Sequence, residues 1–174
     1  SSIRYTEPGE HTYTLREVKV DADNGIVYST AAYTIVTTVT DDGNGKLTVE
    51  HELQGVEKAI FENAYSVTPN NSSVTDQITA TKVLDGRDLK ADEFSFELVE
   101  GNDADGKIAM GKITYTAAGK HTYILREAKG AEGNGITYDG TTYTIVTTVT
   151  DDGNGKLTVK HELQGANEAK FNNS

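Results

Sequence analysis

Lys82, Glu127 and Asn173 each interrupt an apolar series that alternates along an extended stretch of chain. In a β-strand, side chains two residues apart share a face. Ile78, Ala80, Lys82 and Leu84 then form one face whose polar exception is the lysine. Tyr123, Leu125 and Glu127 form a second, and Ala169, Phe171 and Asn173 a third. Burying an unpaired ammonium or carboxylate costs several kcal/mol, so three isolated instances would carry three separate penalties. Convergence removes them, because the groups satisfy one another. Burial also disfavours charged forms, leaving a neutral amine and a protonated carboxyl. A neutral amine is a nucleophile, and a carboxylic acid can donate to a carboxamide oxygen. Attack on the Asn173 carboxamide carbon would expel ammonia and leave a Lys82–Asn173 isopeptide crosslink. The competing reading is three strand-end residues whose polar tips reach water. Alternation alone leaves both open.

Other chemistries are poorly provided for. The four histidines fall as His11/His121 and His51/His161, in matching positions of a repeat, with no Ser/His/Asp constellation around them. They read as half-buried strand residues. The acidic loops at Asp41–Gly45, Asp103–Gly106 and Asp151–Gly155 contain carboxylates and glycine, but none carries the glutamate spacing of an EF-hand loop. They read as solvated hairpin turns, and neither a metal nor a cofactor is expected. Sixteen basic against 27 acidic residues, a net charge of −11, argues against nucleic acid and anionic membrane as partners. Membrane insertion is not expected, as no apolar run is long enough to span a bilayer. Cysteine is absent, which excludes disulfides and thiolate chemistry.

The elements that would hold the three residues repeat. Residues 1–64 align without a gap on 111–174, and 40 of the 64 pairs are identical. A period of that length makes each copy a whole domain, not a solenoid turn. Short Thr/Val/Tyr-rich runs separated by glycine turns predict an all-β sandwich, with strands at 78–84, 93–100, 112–116, 119–129, 143–151, 155–163 and near 169–173. The phase of the repeat predicts three parts. Residues 1–65 are a truncated first repeat lacking the strands equivalent to 78–100, residues 66–76 (SVTPNNSSVTD) a linker, and residues 77–174 a complete domain. The first copy keeps Glu17 and Asn63 but has no lysine strand. It is expected to be completed by a missing N-terminal strand peptide or by a strand-swapped copy whose Lys82 would meet Asn63.

The segments TKVLDGRDLKADEFSFEL (81–98), YILRE ending at Glu127, GITYDGTTYTIVTTVTDDGNGKLT (135–158) and AKFNNS (169–174) resemble the streptococcal-type pilin isopeptide-linkage domain. That family builds pilus shafts and adhesin stalks of Gram-positive bacteria. The resemblance covers 77–174 and, in shortened form, 1–65. It implies tandem Ig-like, pilin-type β-sandwich domains, with Lys82 and Asn173 as the crosslinked pair. Glu127 would be the proton donor and Glu17 its equivalent in the truncated repeat. It further implies an extracellular, cell-wall location, with neighbouring repeats or subunits of the same fibre as partners. The chemistry would be single-turnover self-crosslinking rather than enzyme catalysis. No sorting signal or hydrophobic anchor falls within these residues, so pilus subunit and adhesin stalk both stand. The alternative function is a ligand-binding adhesin module for a host protein or glycan, but short loops and two similar copies favour the structural role.

Overall fold

The computed structural model describes residues 3–20, 22–101, 107–108 (backbone only), 111–131, 133 and 135–174. The fold is all-β, and the chain divides into two compact units, Ser1–Ser66 and Val67–Ser174.

Unit 1 contains β1 (Gly9–Arg16), β2 (Ile26–Val27), β3 (Ala32–Asp41), β4 (Leu47–Leu53) and β5 (Ala64–Tyr65). An antiparallel sheet runs in the order β1-β3-β4, and β2 pairs with β5. The YTIVTTVT run supplies β-branched residues suited to a half-buried pleated surface, and the DDGNG turn closes the β3–β4 hairpin. Asp41 Oδ1 accepts the Gly43 N–H and Asp42 Oδ1 the Asn44 N–H, each at 2.8 Å. Gly43 and Gly45 take φ of 76° and 83°, a region that favours glycine. The loop carboxylates therefore hold the turn.

Unit 2 adds β6 (Asn70–Ser72), a 3-10 turn (Val74–Asp76), β7 (Ala80–Leu84), β8 (Ser95–Glu100), β9 (Lys107–Ile108), β10 (Ile113–Tyr115), β11 (Gly119–Ala128), β12 (Thr142–Asp151), β13 (Leu157–Leu163) and β14 (Ala169–Asn173). A five-stranded sheet runs β13-β12-β11-β8-β9, while β14 pairs with β7 and β10 with β6. β7 and the last strand, β14, are parallel, with Lys82 opposite Phe171 and Leu84 opposite Asn173. The core lies between sheet and pair, where Leu98, Tyr123, Leu125 and Ile145 meet Val74, Ala169 and Phe171.

The shared hairpins keep one register: Tyr13 faces Ile35 as Tyr123 faces Ile145. What differs is cover. β8 pairs with β11 in unit 2, whereas β1 has no second neighbour among the described residues. Residues 59–63, equivalent to β14, form no strand. Leu15 is accordingly 38% exposed where Leu125 is 2%.

Two expectations need correction. The stretch 66–76 is not a spacer from Val67 onward. β6 pairs with β10, Asn70 Nδ2 donates to the Leu157 carbonyl at 2.8 Å, and Val74 is buried in the main core. Within its polar composition, Asn70 and Ser72 are committed to specific hydrogen bonds, with Leu157 and His161, rather than left to water. Nor is His161 half-buried. Its ring is enclosed between Thr147 Oγ1 on Nδ1 (2.7 Å) and Ser72 Oγ on Nε2 (2.9 Å), and burial pushes the imidazole below its usual range. His51 keeps the matching Thr37 contact at 2.7 Å but is exposed. The Asp103–Gly106 loop lies outside the described residues.

Candidate crosslinking site

β11 brings Glu127 to the core by strict alternation, with Tyr123, Leu125 and Glu127 buried and Ile124 and Arg126 less so. β14 does the same for Ala169, Phe171 and Asn173. On β7, Val83 turns outward and Lys82 inward, while Ala80, which shares the parity of Lys82, is exposed at the strand's start. Parallel pairing then sets Lys82 beside Phe171, one step diagonally from Asn173.

The three polar groups meet at one atom. Lys82 Nζ lies 2.7 Å from Glu127 Oε1, the lysine side chain 10% exposed and the glutamate 0%. Asn173 Nδ2 donates to the same Oε1 at 3.0 Å. Although close to the carboxylate, Nζ is buried without a hydrogen bond of acceptable angle to any group. The contact is ionic and oblique. Above it sits the Phe94 ring, 4.6 Å from Nζ to the centroid, at the end of an Asp85–Glu93 loop braced by the Arg87–Glu93 ion pair.

The Asp139 N–H donates to Asn173 Oδ1 at 2.7 Å and to Glu127 Oε2 at 3.2 Å. The carboxamide therefore presents its oxygen to the main chain and its nitrogen to Glu127. Alternation had suggested that the glutamate would face the oxygen; the geometry differs because a backbone N–H can only donate. The Thr141 hydroxyl (2.5 Å), with the Asn172 N–H (2.6 Å), holds the Asp139 carboxyl below its usual range, and nearby Lys82 acts in the same sense. Asp139 and Phe94 were not singled out from the sequence. Asp139 works through its backbone and is a serine in the other copy, so no side-chain pattern marks it.

Unit 1 reproduces the arrangement without the lysine. Asn63 Nδ2 donates to Glu17 Oε1 at 2.7 Å, and the Ser29 N–H donates to Asn63 Oδ1 at 2.8 Å and Glu17 Oε2 at 3.2 Å. Asn63 is exposed and Glu17 half-buried, since among the described residues no strand of unit 1 stands where β7 stands in unit 2. Tyr33 still pins the segment, its hydroxyl bonding the Ile60 carbonyl at 2.6 Å, as Tyr143 bonds the Lys170 carbonyl at 2.7 Å in unit 2.

Among the described residues no helix is long and apolar enough to cross a membrane. No curated protein matches the chain significantly. The FctA family model, described as the Spy0128-like isopeptide containing domain, matches residues 1–66 and 78–174. Those ranges contain all the residues of both Glu–Asn sites and the lysine. The chain thus belongs to the family of Spy0128-like isopeptide containing domains, pilin-type modules of β-rich, Ig-like fold.

Proposed function

We propose that unit 2 closes a Lys82–Asn173 isopeptide bond and serves as a load-bearing spacer in a cell-wall-attached surface fibre. The observation that carries this is the single Glu127 oxygen contacted by both Lys82 Nζ and Asn173 Nδ2. Starting from an ammonium, amide formation requires the lysine nitrogen to lose two protons. One leaves with the departing nitrogen, which goes from NH2 to ammonia, and the other stays on the carboxylate. An oxygen placed between the two is a proton shuttle. The starting state is also a poor one for the amine: a buried ammonium has three donors and here satisfies none by hydrogen bonding. Conversion to an amide leaves one. Each domain reacts once, so the chemistry is self-modification rather than enzyme turnover.

Unit 1 holds the same acceptor, with Glu17 as its carboxylate and Asn63 as its carboxamide, and lacks only the amine. In this reading a lysine-bearing strand from outside residues 1–66 completes it, in the place Ala80–Leu84 takes in unit 2. Neighbouring repeats or subunits of the fibre are the natural sources.

Intact-mass measurement of the full chain tests the proposal. A mass one ammonia below that of the sequence, with a tryptic peptide joining Lys82 to Asn173, is the expected result. A folded chain of full mass would refute it, and a Lys82–Asn63 peptide would show that strands exchange between copies.

A further inference from the structure

We propose that the main-chain N–H of Asp139 is the oxyanion donor of the crosslinking reaction, held in place by the Asp139 carboxylate. This rests on the Lys82–Asn173 reading and deepens it. When Nζ attacks the Asn173 carboxamide carbon, a new C–N bond forms and the carbonyl π pair moves onto Oδ1. That oxygen already receives the Asp139 N–H at 2.7 Å. Glu127 has first taken one proton from the ammonium to free the lone pair. On collapse the carbonyl re-forms and the bond to Nδ2 breaks. Glu127 Oε1 hands that one proton to Nδ2, which leaves as ammonia, and takes the second proton from Nζ. A donor aimed in advance at developing negative charge stabilises the transition state without reorganising.

The carboxylate explains why the N–H is aimed so well. Asp139 Oδ1 accepts the Thr141 N–H at 2.8 Å and its hydroxyl at 2.5 Å, which closes the loop on itself. Oδ2 accepts the N–H of Asn172, the residue preceding Asn173, at 2.6 Å. On the other side, Thr137 and Ser174 exchange two backbone hydrogen bonds, at 2.7 and 3.2 Å. The loop is thereby tied to β14 on both flanks of the reacting residue. Unit 1 separates the two roles. Ser29 keeps the N–H contact to Asn63 Oδ1 at 2.8 Å, while its side chain accepts only the Ala31 N–H at 3.2 Å within the loop. The donor is common to both units; the brace belongs to unit 2.

The test is an amide-to-ester replacement that removes the Asp139 N–H and keeps the side chain, made by ligation of the full chain and compared with an all-amide chain made identically. Both are refolded from denaturant and ammonia loss is timed by mass. The ester chain should react roughly 100- to 1,000-fold more slowly. Equal rates would overturn the assignment, whereas an all-amide chain that loses no ammonia would overturn the crosslink reading instead. A second readout does not depend on the ester folding. In a Lys82→Met chain carrying a carbon-13 label on the Asn173 carboxamide, the carbonyl stretch should move to lower frequency on folding, and an unshifted band would refute the contact. For the brace, Asp139→Ala should slow the reaction about tenfold and Asp139→Asn should restore part of it; equal slowing by both variants would overturn the positioning role of the carboxylate.

Discussion

Replacing Lys82 by methionine isolates the mechanical content of the crosslink, because methionine fills similar volume and cannot form an amide. The bond would close a loop of roughly 90 residues between positions 82 and 173. By the chain-entropy relation used for disulfides, losing such a closure costs about 4.5 kcal/mol. At about 4–8 °C per kcal/mol for a domain near a hundred residues, the transition of unit 2 should fall by roughly 20–35 °C. Hydrogen exchange at the β11 and β12 amides reads unit 2 directly, and globally exchanging positions there should speed up by roughly 2,000-fold. One complication has the same sign: without Nζ, Glu127 keeps only the Asn173 and Asp139 donors. A second background removes it. In a freshly folded Glu127→Gln chain, whose crosslinking is slowed and which mass shows still to be unlinked, adding Lys82→Met should change exchange very little. A drop of similar size in both backgrounds, or none in either, would refute the loop-closure argument.

Glu127→Gln by itself should fold, judged by retained exchange protection in β12, yet lose ammonia roughly 100- to 10,000-fold more slowly on refolding; normal kinetics would show that Glu127 is not the shuttle. Acid should loosen the Val67–Gln77 segment first. His161 is held neutral by burial, which overrides the pull of Asp76 toward protonation. Its folded affinity for protons is thus below the unfolded one, so the stability it lends is complete above the unfolded value near 6.5 and is lost as pH falls through the lower folded value. The protection factor of the β6 amides, exchange corrected for its intrinsic pH dependence, should therefore fall on acidification below about pH 6.5, and a Ser72→Ala chain should show lower β6 protection already at neutral pH. A β6 whose protection is flat with pH would refute the clasp. Finally, β1 amides should exchange faster than their β11 counterparts at matched positions, since β1 lacks the cover that β8 gives β11; equal rates would mean that unit 1 is completed in solution.

Alternation made the inward faces of β11 and β14 legible because both strands run without a bulge through their polar residue, so parity at Tyr123 or Ala169 carries to Glu127 or Asn173. Parity gives a side and not a depth. Ala80 shares the face of Lys82 but lies at an uncovered strand end. The segment 67–76 was misread because its composition is that of a loop, while the folded chain uses Asn70 and Ser72 as specific partners of Leu157 and His161. Strand formation at the domain's end depends on a distant partner. The AIFEN of 59–63 and the AKFNN of β14 are similar in pattern, yet only the latter has β7 beside it. Asp139 was invisible because its working atom is a backbone nitrogen.

The parallel pairing of β7 and β14 also decides how the domain answers a pull. Ala80 sits opposite Ala169 and Leu84 opposite Asn173, so a tensile force entering ahead of β7 and leaving after β14 acts at opposite ends of the same ladder. The hydrogen bonds are then loaded in shear, all together, instead of being unzipped one at a time. A covalent tie from Lys82 to Asn173 would divert that load before it reached residues 83–172. The domain would behave as a short inextensible link whose folded body hangs beside the line of force.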